Sequence, residues 1–224
     1  MPVEIDQLIR SKRKTISLII QRDGLLIVRA PLRASEKSIR EIVAKKEAWI
    51  RKTQEKMRAA PPPPQRNFQD GGSLPLLGKP IPLKIIPGQR ATLTWVDEHR
   101  LELTEAGLPY AATLIERWYK ARASEHFRAR TAQLAEQFHL TPASIRISSA
   151  RSRWGSCSGK NNLSFTWRLV MAPPDVADYV ILHELAHIAV KNHSPQFWAK
   201  VASMMPDYAQ KRKWLKEHGR ELDL

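Results

Sequence analysis

The sequence has a single cysteine, Cys157, among its 224 residues, so it cannot form an intrachain disulfide. Chains without a disulfide framework are typical of reducing compartments, and we expect a cytoplasmic protein. No apolar run reaches the roughly 20 residues that a membrane-spanning helix needs. The N-terminal residues place their charges after the first apolar residues and lack the small-residue cleavage site of a secretory signal. We therefore expect no membrane association.

Acidic residues are scarce relative to basic ones. The chain has 37 Lys and Arg against 22 Asp and Glu, a formal net charge of +15. The excess is uneven, because the first sixty residues hold 15 Lys and Arg with 7 acidic side chains, whereas residues 171–198 are net acidic. Such a charge attracts polyanions, including nucleic acid, although it also solubilises helix faces. No phosphate-binding Gly-rich loop or known nucleic-acid-binding motif accompanies it.

The N-terminal residues predict a small lobe of strands and helix. A β-hairpin is expected over residues 14–31, where two β-rich runs flank the turn dipeptide Asp23-Gly24. Ser35 is placed to cap one continuous helix over residues 36–57. The four prolines at 61–64 end that helix and predict a stiff spacer.

The remaining sequence predicts more sheet and several long helices. Short β-like runs fill residues 66–105, and a long amphipathic helix is expected over residues 111–140. Two strands are expected at 144–150 and within 162–173, separated by the loop "RSRWGSCSGKN". Pro174 suits the first position of a further helix. Taken together, these elements predict an α+β fold with helices and strands partly segregated.

The segment "VILHELAHIAVKNHSPQFW" concentrates titratable side chains in an apolar helix. His183 and His187 are four residues apart, which places both imidazoles on one helix face, one turn from each other. Glu184 follows the first histidine and can reach a metal-bound water rather than the metal itself. The pattern predicts a zinc site with a general base. The alternative is a hydrogen-bonded structural histidine pair in a buried helix.

A third histidine follows the apolar helix. Catalytic zinc usually has three protein ligands and one open position. Ser194 and Pro195 predict the start of a new helix, so the turn before it is short and can carry His193 back toward His183 and His187. The alternative is an exposed loop histidine.

Residues 153–214 resemble those of a known family. The blocks "RWGSC", "YVILHELAH", "NHSPQFW" and "MPDY" are similar to those of the YgjP-like metallopeptidases, relatives of the SprT-like and Wss-type zinc peptidases. The resemblance implies that His183, His187 and His193 bind Zn²⁺ and that Glu184 is the catalytic base. It also implies a zincin-like fold, in which a small sheet packs on the HExxH helix.

Two domains are expected, although a weaker resemblance to the family extends upstream over most of the chain. Residues 1–109 are expected to form a β-rich lobe with the basic helix and the proline spacer, and residues 110–224 a zincin-like catalytic domain. Because zincins hold an extended substrate along an edge strand, "NLSFTWRL" is the expected edge strand, with Trp154 to Cys157 at its lip. Cys157 is either a soft zinc ligand or, as we favour, a packed small residue.

The function expected from the sequence is zinc-dependent peptide hydrolysis in the cytoplasm. Two other classes stay open: a metal-dependent hydrolase of nucleotides or phosphoanhydrides, and a nucleic-acid-associated protein with a structural zinc. Arg151 and Arg153 are interpreted as surface charges, although either could face the cleft. Tyr208 and Arg153 are the candidates for stabilising the transition state.

Overall fold

A computed structural model describes residues 3–21, 23–59 and 68–224. The predicted proline spacer at 61–64 lies outside these ranges. The described residues form a mixed α+β fold, as predicted, divided into two compact units, Met1–Pro62 and Pro63–Leu224. Within these ranges, no helix is both long and apolar enough to cross a bilayer.

The first unit contains a three-stranded sheet. Its strands are β1 (Gln7–Ser11), β2 (Ser17–Ile20) and β3 (Leu26–Pro31), in the order β1-β3-β2. The predicted hairpin is confirmed, because β2 pairs with β3 antiparallel. Gly24 occupies its turn with φ +87°, a conformation that favours glycine. Strand β1, which the sequence did not predict, pairs with β3 in parallel.

The predicted single helix of this unit is two helices. They are α1 (Glu36–Lys45) and α2 (Glu47–Ala59), and the prediction of one continuous helix is wrong. At the break, Lys46 leaves helical geometry and its N–H points at the carbonyls of Ile42 and Val43. Val43 and Ile50, on either side of the break, belong to the same small core. Ser35 caps α1 as predicted, since its hydroxyl accepts from the Ser38 N–H at 3.2 Å.

The second unit has two small sheets. The four-stranded sheet has the order β4-β5-β7-β6, formed by Ser73–Leu76, Lys79–Ile86, Arg100–Thr104 and Leu93–Val96. The three-stranded sheet has the order β8-β10-β9, formed by Ser144–Ser148, Asn162–Thr166 and Gly155–Cys157. Strand β10 is therefore central, and the expectation that "NLSFTWRL" forms an edge strand is wrong. The edge strands are β8 and the short β9, which lies inside the predicted loop.

Four α-helices cover the sheets of this unit in the described chain. They are α3 (Ala111–Gln137), α4 (Pro174–Ala189), α5 (Pro195–Met204) and α6 (Tyr208–His218). Short 3-10 turns span Glu105–Tyr110, Trp167–Met171 and Gly219–Glu221. Helix α3 matches its predicted position closely. The domain division at 109/110 stays a prediction, since the compact unit that holds α3 to α6 also includes the four-stranded sheet.

Aromatic side chains build the core of the second unit. Tyr119 of α3 stacks on Trp167 with ring centroids 5.6 Å apart, and Phe127 packs against Phe165 at 5.4 Å. All four side chains are fully buried. The Tyr119 hydroxyl donates to the Pro75 carbonyl at 2.7 Å, so its polar atom is satisfied. This core fixes the base on which α4 lies.

A tight turn positions the start of α4. Gly78, between β4 and β5, has φ +74°, and a Cβ there would lie 3.0 Å from the Cα of Pro173. The turn lies this close to Pro173 because the backbone N–H groups of Leu77 and Gly78 donate hydrogen bonds to the carbonyls of Val170 and Met171. The sheet edge therefore holds the segment that leads into α4.

A buried ion pair anchors the segment that follows α6. Arg168 and Asp223 meet at 2.6 Å, and each side chain is 4 % exposed. The Arg168 guanidinium also lies 4.2 Å from the centre of the Trp167 ring. Removing one partner of a buried pair leaves the other charge without compensation.

We expect Asp223→Ala to lower the free energy of unfolding by about 3 to 5 kcal/mol, because it strands the buried Arg168 charge. Urea unfolding measures this. Arg151→Ala is the matched control, since Arg151 is 64 % exposed and lies 3.8 Å from the same carboxylate. The control should cost less than about 1 kcal/mol. Equal losses in the two variants would contradict the account.

Candidate metal centre

Helix α4 presents two histidines on one face. His183 and His187 are one turn apart, and their ring centroids are 5.1 Å from each other. The helix begins with Pro174 at a first-turn position and is buried along most of its length, because it is apolar nearly all round. The predicted pairing of the two imidazoles on one face is thus present.

A short connection brings the third histidine to the same point. Helix α4 ends at Ala189 and α5 begins at Pro195, where the Ser194 hydroxyl accepts from the Phe197 N–H at 3.4 Å. Between them, His193 turns back, and its Nε2 lies 3.1 Å from Nε2 of His183 and 3.2 Å from Nε2 of His187. The structure therefore brings all three predicted residues together.

Neighbouring groups fix the orientation of the rings. The His187 Nδ1 lies 3.0 Å from the Val190 carbonyl, which fits a proton on Nδ1 and a lone pair on Nε2. Phe197 stacks on His187 at 4.3 Å between centroids, and Trp198 stacks on His193 at 5.7 Å. The His183 Nδ1 is buried without a hydrogen-bond partner among the described residues.

The donor geometry fits a single metal ion. Three imidazole nitrogens that bind one tetrahedral zinc at about 2.0 Å are roughly 3.3 Å apart, close to the separations seen here. Burial, followed by the charges of the other two histidines, lowers the pKa of His183 to about 3. Burial also lowers the pKa of His187. Both side chains are therefore neutral at physiological pH, which metal binding requires.

Glu184 lies on α4 beneath the edge strand β9. Its side chain is buried, and a Cβ at Gly155 would be 2.6 Å from its Cγ and Oε1. Only a residue without a side chain lets the strand pass this close to the carboxyl group. Burial raises the pKa of Glu184 to about 7, and the positive charge of Arg153 opposes that rise. A carboxyl group of that pKa is suited to proton transfer near neutral pH.

Comparison with known protein families identifies the domain. Residues 14–218 match the YgjP-like metallopeptidase domain. The chain belongs to the YgjP-like metallopeptidase family. It is therefore a metal-dependent peptidase that acts on peptides and needs a divalent metal ion. No curated protein and no solved structure matches the chain.

The group that could hold the metal of this peptidase consists of His183, His187 and His193. Their ligand atoms all lie within 4.8 Å of one another, and no other such group occurs in the described parts of the chain. Cys157 is outside this group. It pairs with Leu163 in the small sheet, and burial raises the pKa of its thiol. This fits the packed residue favoured from the sequence rather than a zinc ligand.

A cavity of about 390 Å³ opens beside His183 and Glu184. Gly155 of β9 lines one side of it, and Tyr179 and Arg212 line another. The sequence did not single out Tyr179 or Arg212. Tyr179 was detectable, because it precedes His183 by four residues and so shares its helix face. Arg212 could not be identified without knowing where α6 packs.

Arg153 connects this cavity with a second one. The second cavity, of about 560 Å³, lies along the hydroxyl-rich face of the three-stranded sheet and is also lined by Arg153. Arg153 is exposed, as interpreted from the sequence, and it also faces the cavity, which is the alternative that the sequence left open. Arg151 is the exposed surface residue that was expected, with its nearest carboxylate at 3.8 Å. Tyr208 stacks on Trp198 and is not among the residues that line either cavity.

The buried Glu184 predicts a pH dependence of stability in the metal-free peptidase. Its ordinary pKa of 4.5 applies to the unfolded chain, and about 7 applies to the fold. Between these values the native state binds more protons than the unfolded state, so stability falls as pH rises. We expect wild type to lose about 3 kcal/mol relative to Glu184→Gln over this window.

Urea unfolding of both proteins in chelator, from pH 4 to 8, measures the difference. The lowered pKa of His183 has the opposite effect on stability, but it is common to both proteins and cancels. If the free energy of unfolding changed with pH in the same way in wild type and in Glu184→Gln, Glu184 would be solvated rather than buried.

Proposed function

We propose that this YgjP-like peptidase is a zinc enzyme in which His183, His187 and His193 hold the ion and Glu184 is the general base. The observation that carries the proposal is the convergence of three Nε2 atoms, two of them 3.1 and 3.2 Å from the third. Three imidazoles leave one coordination position free, as catalytic zinc requires. A three-histidine set with one open position is typical of catalytic Zn²⁺, and imidazole donors disfavour the oxygen-preferring Mg²⁺ and Ca²⁺.

The ion, when bound, supplies Lewis-acid polarisation of the peptide carbonyl and acidification of water. Glu184 receives the proton of the attacking water at its carboxylate. Glu184 follows His183 directly in the sequence and lines the same cavity. It is therefore close to the proposed metal site without being one of the ligands. The same carboxyl group then returns the proton to the leaving amine, which its pKa near 7 permits.

Strand β9 is the proposed substrate-binding edge. Within the residues that the structure describes, β10 is its one partner strand, and β9 runs past Glu184 through Gly155. A peptide that pairs with its free edge would place a carbonyl group above Glu184. The arrangement of an edge strand above the HExxH helix supports a zincin-like fold, with the catalytic elements inside residues 110–224.

The other functions considered from the sequence gain no support. Membership in a peptidase family favours peptide bonds over phosphoanhydrides. A structural zinc does not require a buried carboxyl group beside its ligands, which argues against a purely binding role. The nucleic-acid interaction and the cytoplasmic location predicted from charge and cysteine content stay predictions.

Glu184→Gln tests the mechanism. We expect the variant to keep one metal ion per chain and to lose at least about a hundredfold in the rate of casein hydrolysis, because the base is gone and the ligands remain. Elemental analysis and peptide release measure the two quantities. Glu217→Gln, an exposed glutamate on α6, is the control and should retain wild-type activity. Substantial hydrolysis by Glu184→Gln would remove Glu184 from the mechanism.

A further inference from the structure

The cavity beside Glu184 has an unusual distribution of charge. Arg153, Arg212 and Lys216 line it, and among the described lining residues Glu184 is the single acid. Glu184 therefore shares a cavity of about 390 Å³ with three cationic side chains. A volume of that size accommodates a side chain or chain terminus of a substrate.

None of the three cations makes a salt bridge within the described residues, although the charge of Arg153 acts on Glu184; neighbouring cations on α6 do make salt bridges. Lys211 lies 3.1 Å from Asp207 and also pairs with Asp175. Lys213 lies 3.9 Å from Glu217. Arg212 and Lys216, four residues apart, share the helix face that borders the cavity. On α6, the cations that do not line the cavity are paired with carboxylates, whereas the two cations that line the cavity make no salt bridge in the described residues.

Arg212 is also held in place. Its guanidinium carbon lies 4.8 Å from the centre of the Trp198 ring, a cation–π contact that limits its freedom. A planar guanidinium fixed in this way can donate two parallel hydrogen bonds to a carboxylate. On the opposite wall, Arg153 precedes β9 and adds a second guanidinium.

We propose that this cavity is a carboxylate-recognition pocket formed by Arg153, Arg212 and Lys216, which selects peptides with a carboxylate near the bond that is cut. The inference rests on the proposed function, because the anions that a peptide brings to such a site are carboxylates. The carboxylate comes either from an Asp or Glu side chain or from the C-terminus of the substrate. The experiment distinguishes these two sources.

The binding experiment uses the Glu184→Gln protein, so that no peptide is consumed. Three probes are compared: acetyl-Ala-Ala-Glu-Ala-Ala-amide, the same peptide with Gln in place of Glu, and the Gln peptide with a free C-terminal carboxylate. Amide NMR signals of Gly155 and Val180, which line the cavity, report binding. We expect one of the two carboxylate peptides to bind roughly fivefold tighter than the neutral peptide, and added salt to reduce the difference.

Charge variants link the preference to the cavity. Adding Arg212→Gln or Lys216→Gln should bring the carboxylate and neutral peptides to within about twofold in affinity. Lys213→Gln makes the same charge change on the outer face of α6 and should leave the preference intact. Equal binding of all three peptides would overturn the inference, as would a preference that survives loss of Arg212 and Lys216. Tighter binding of ATP than of either carboxylate peptide would identify a phosphate site and also overturn it.

Hydrolysis by wild type separates this inference from the proposed function. If wild type cuts the carboxylate and neutral peptides with equal kcat/KM and binding shows no preference, the pocket is wrong and the peptidase mechanism stands. If the carboxylate peptides bind selectively but neither they nor casein are cut, the pocket stands and the proposed mechanism is wrong.

Discussion

The centre of this structure depends on three imidazole nitrogens that face one another. His193 Nε2 lies 3.1 and 3.2 Å from the Nε2 atoms of His183 and His187. A proton on His187 Nδ1 is directed to the Val190 carbonyl, which leaves the lone pair of its Nε2 facing the other two rings. A cation placed among the three Nε2 atoms could bind all of them together, as proposed. The apolar α4, the capped start of α5 and the stacked Phe197 all maintain this convergence.

The local parts of the site were predictable from the sequence because their geometry is set by neighbouring residues. The four-residue spacing of His183 and His187 determines their shared face once a helix forms. Ser194 and Pro195 mark where the next helix starts, and this fixes the length of the turn that holds His193. The hairpin around Gly24 follows from turn chemistry in the same way.

Long-range features of the site were not predictable. Strand β9 is three residues long and lies in a segment that had the composition of a loop, so only its pairing with β10 reveals it. Arg212 reaches the cavity because α6 packs against α4, and no spacing rule encodes that contact. The break at Lys46 was missed because the surrounding residues all have good helix propensity. Of these, only the position of Arg212 depends on packing between segments distant in the chain.

Charge in this protein is divided between the reacting groups and the wall of the cavity. Burial keeps His183 neutral and raises the pKa of Glu184. The exposed cations Arg153, Arg212 and Lys216 line the same cavity and make no salt bridge in the described chain. The buried groups suit metal binding and proton transfer, whereas the cations suit recognition of an anionic part of the substrate. Under the proposed function, catalysis and selectivity would belong to different residues of one cavity.

X-ray absorption spectroscopy of the zinc-loaded protein tests the central claim most directly. The account predicts one zinc per chain with three imidazole nitrogens at about 2.0 Å and one further light atom. A sulfur neighbour at about 2.3 Å would contradict it, because Cys157 would then be a ligand. Fewer than three imidazoles in the coordination shell would equally contradict the convergence of His183, His187 and His193 on one ion.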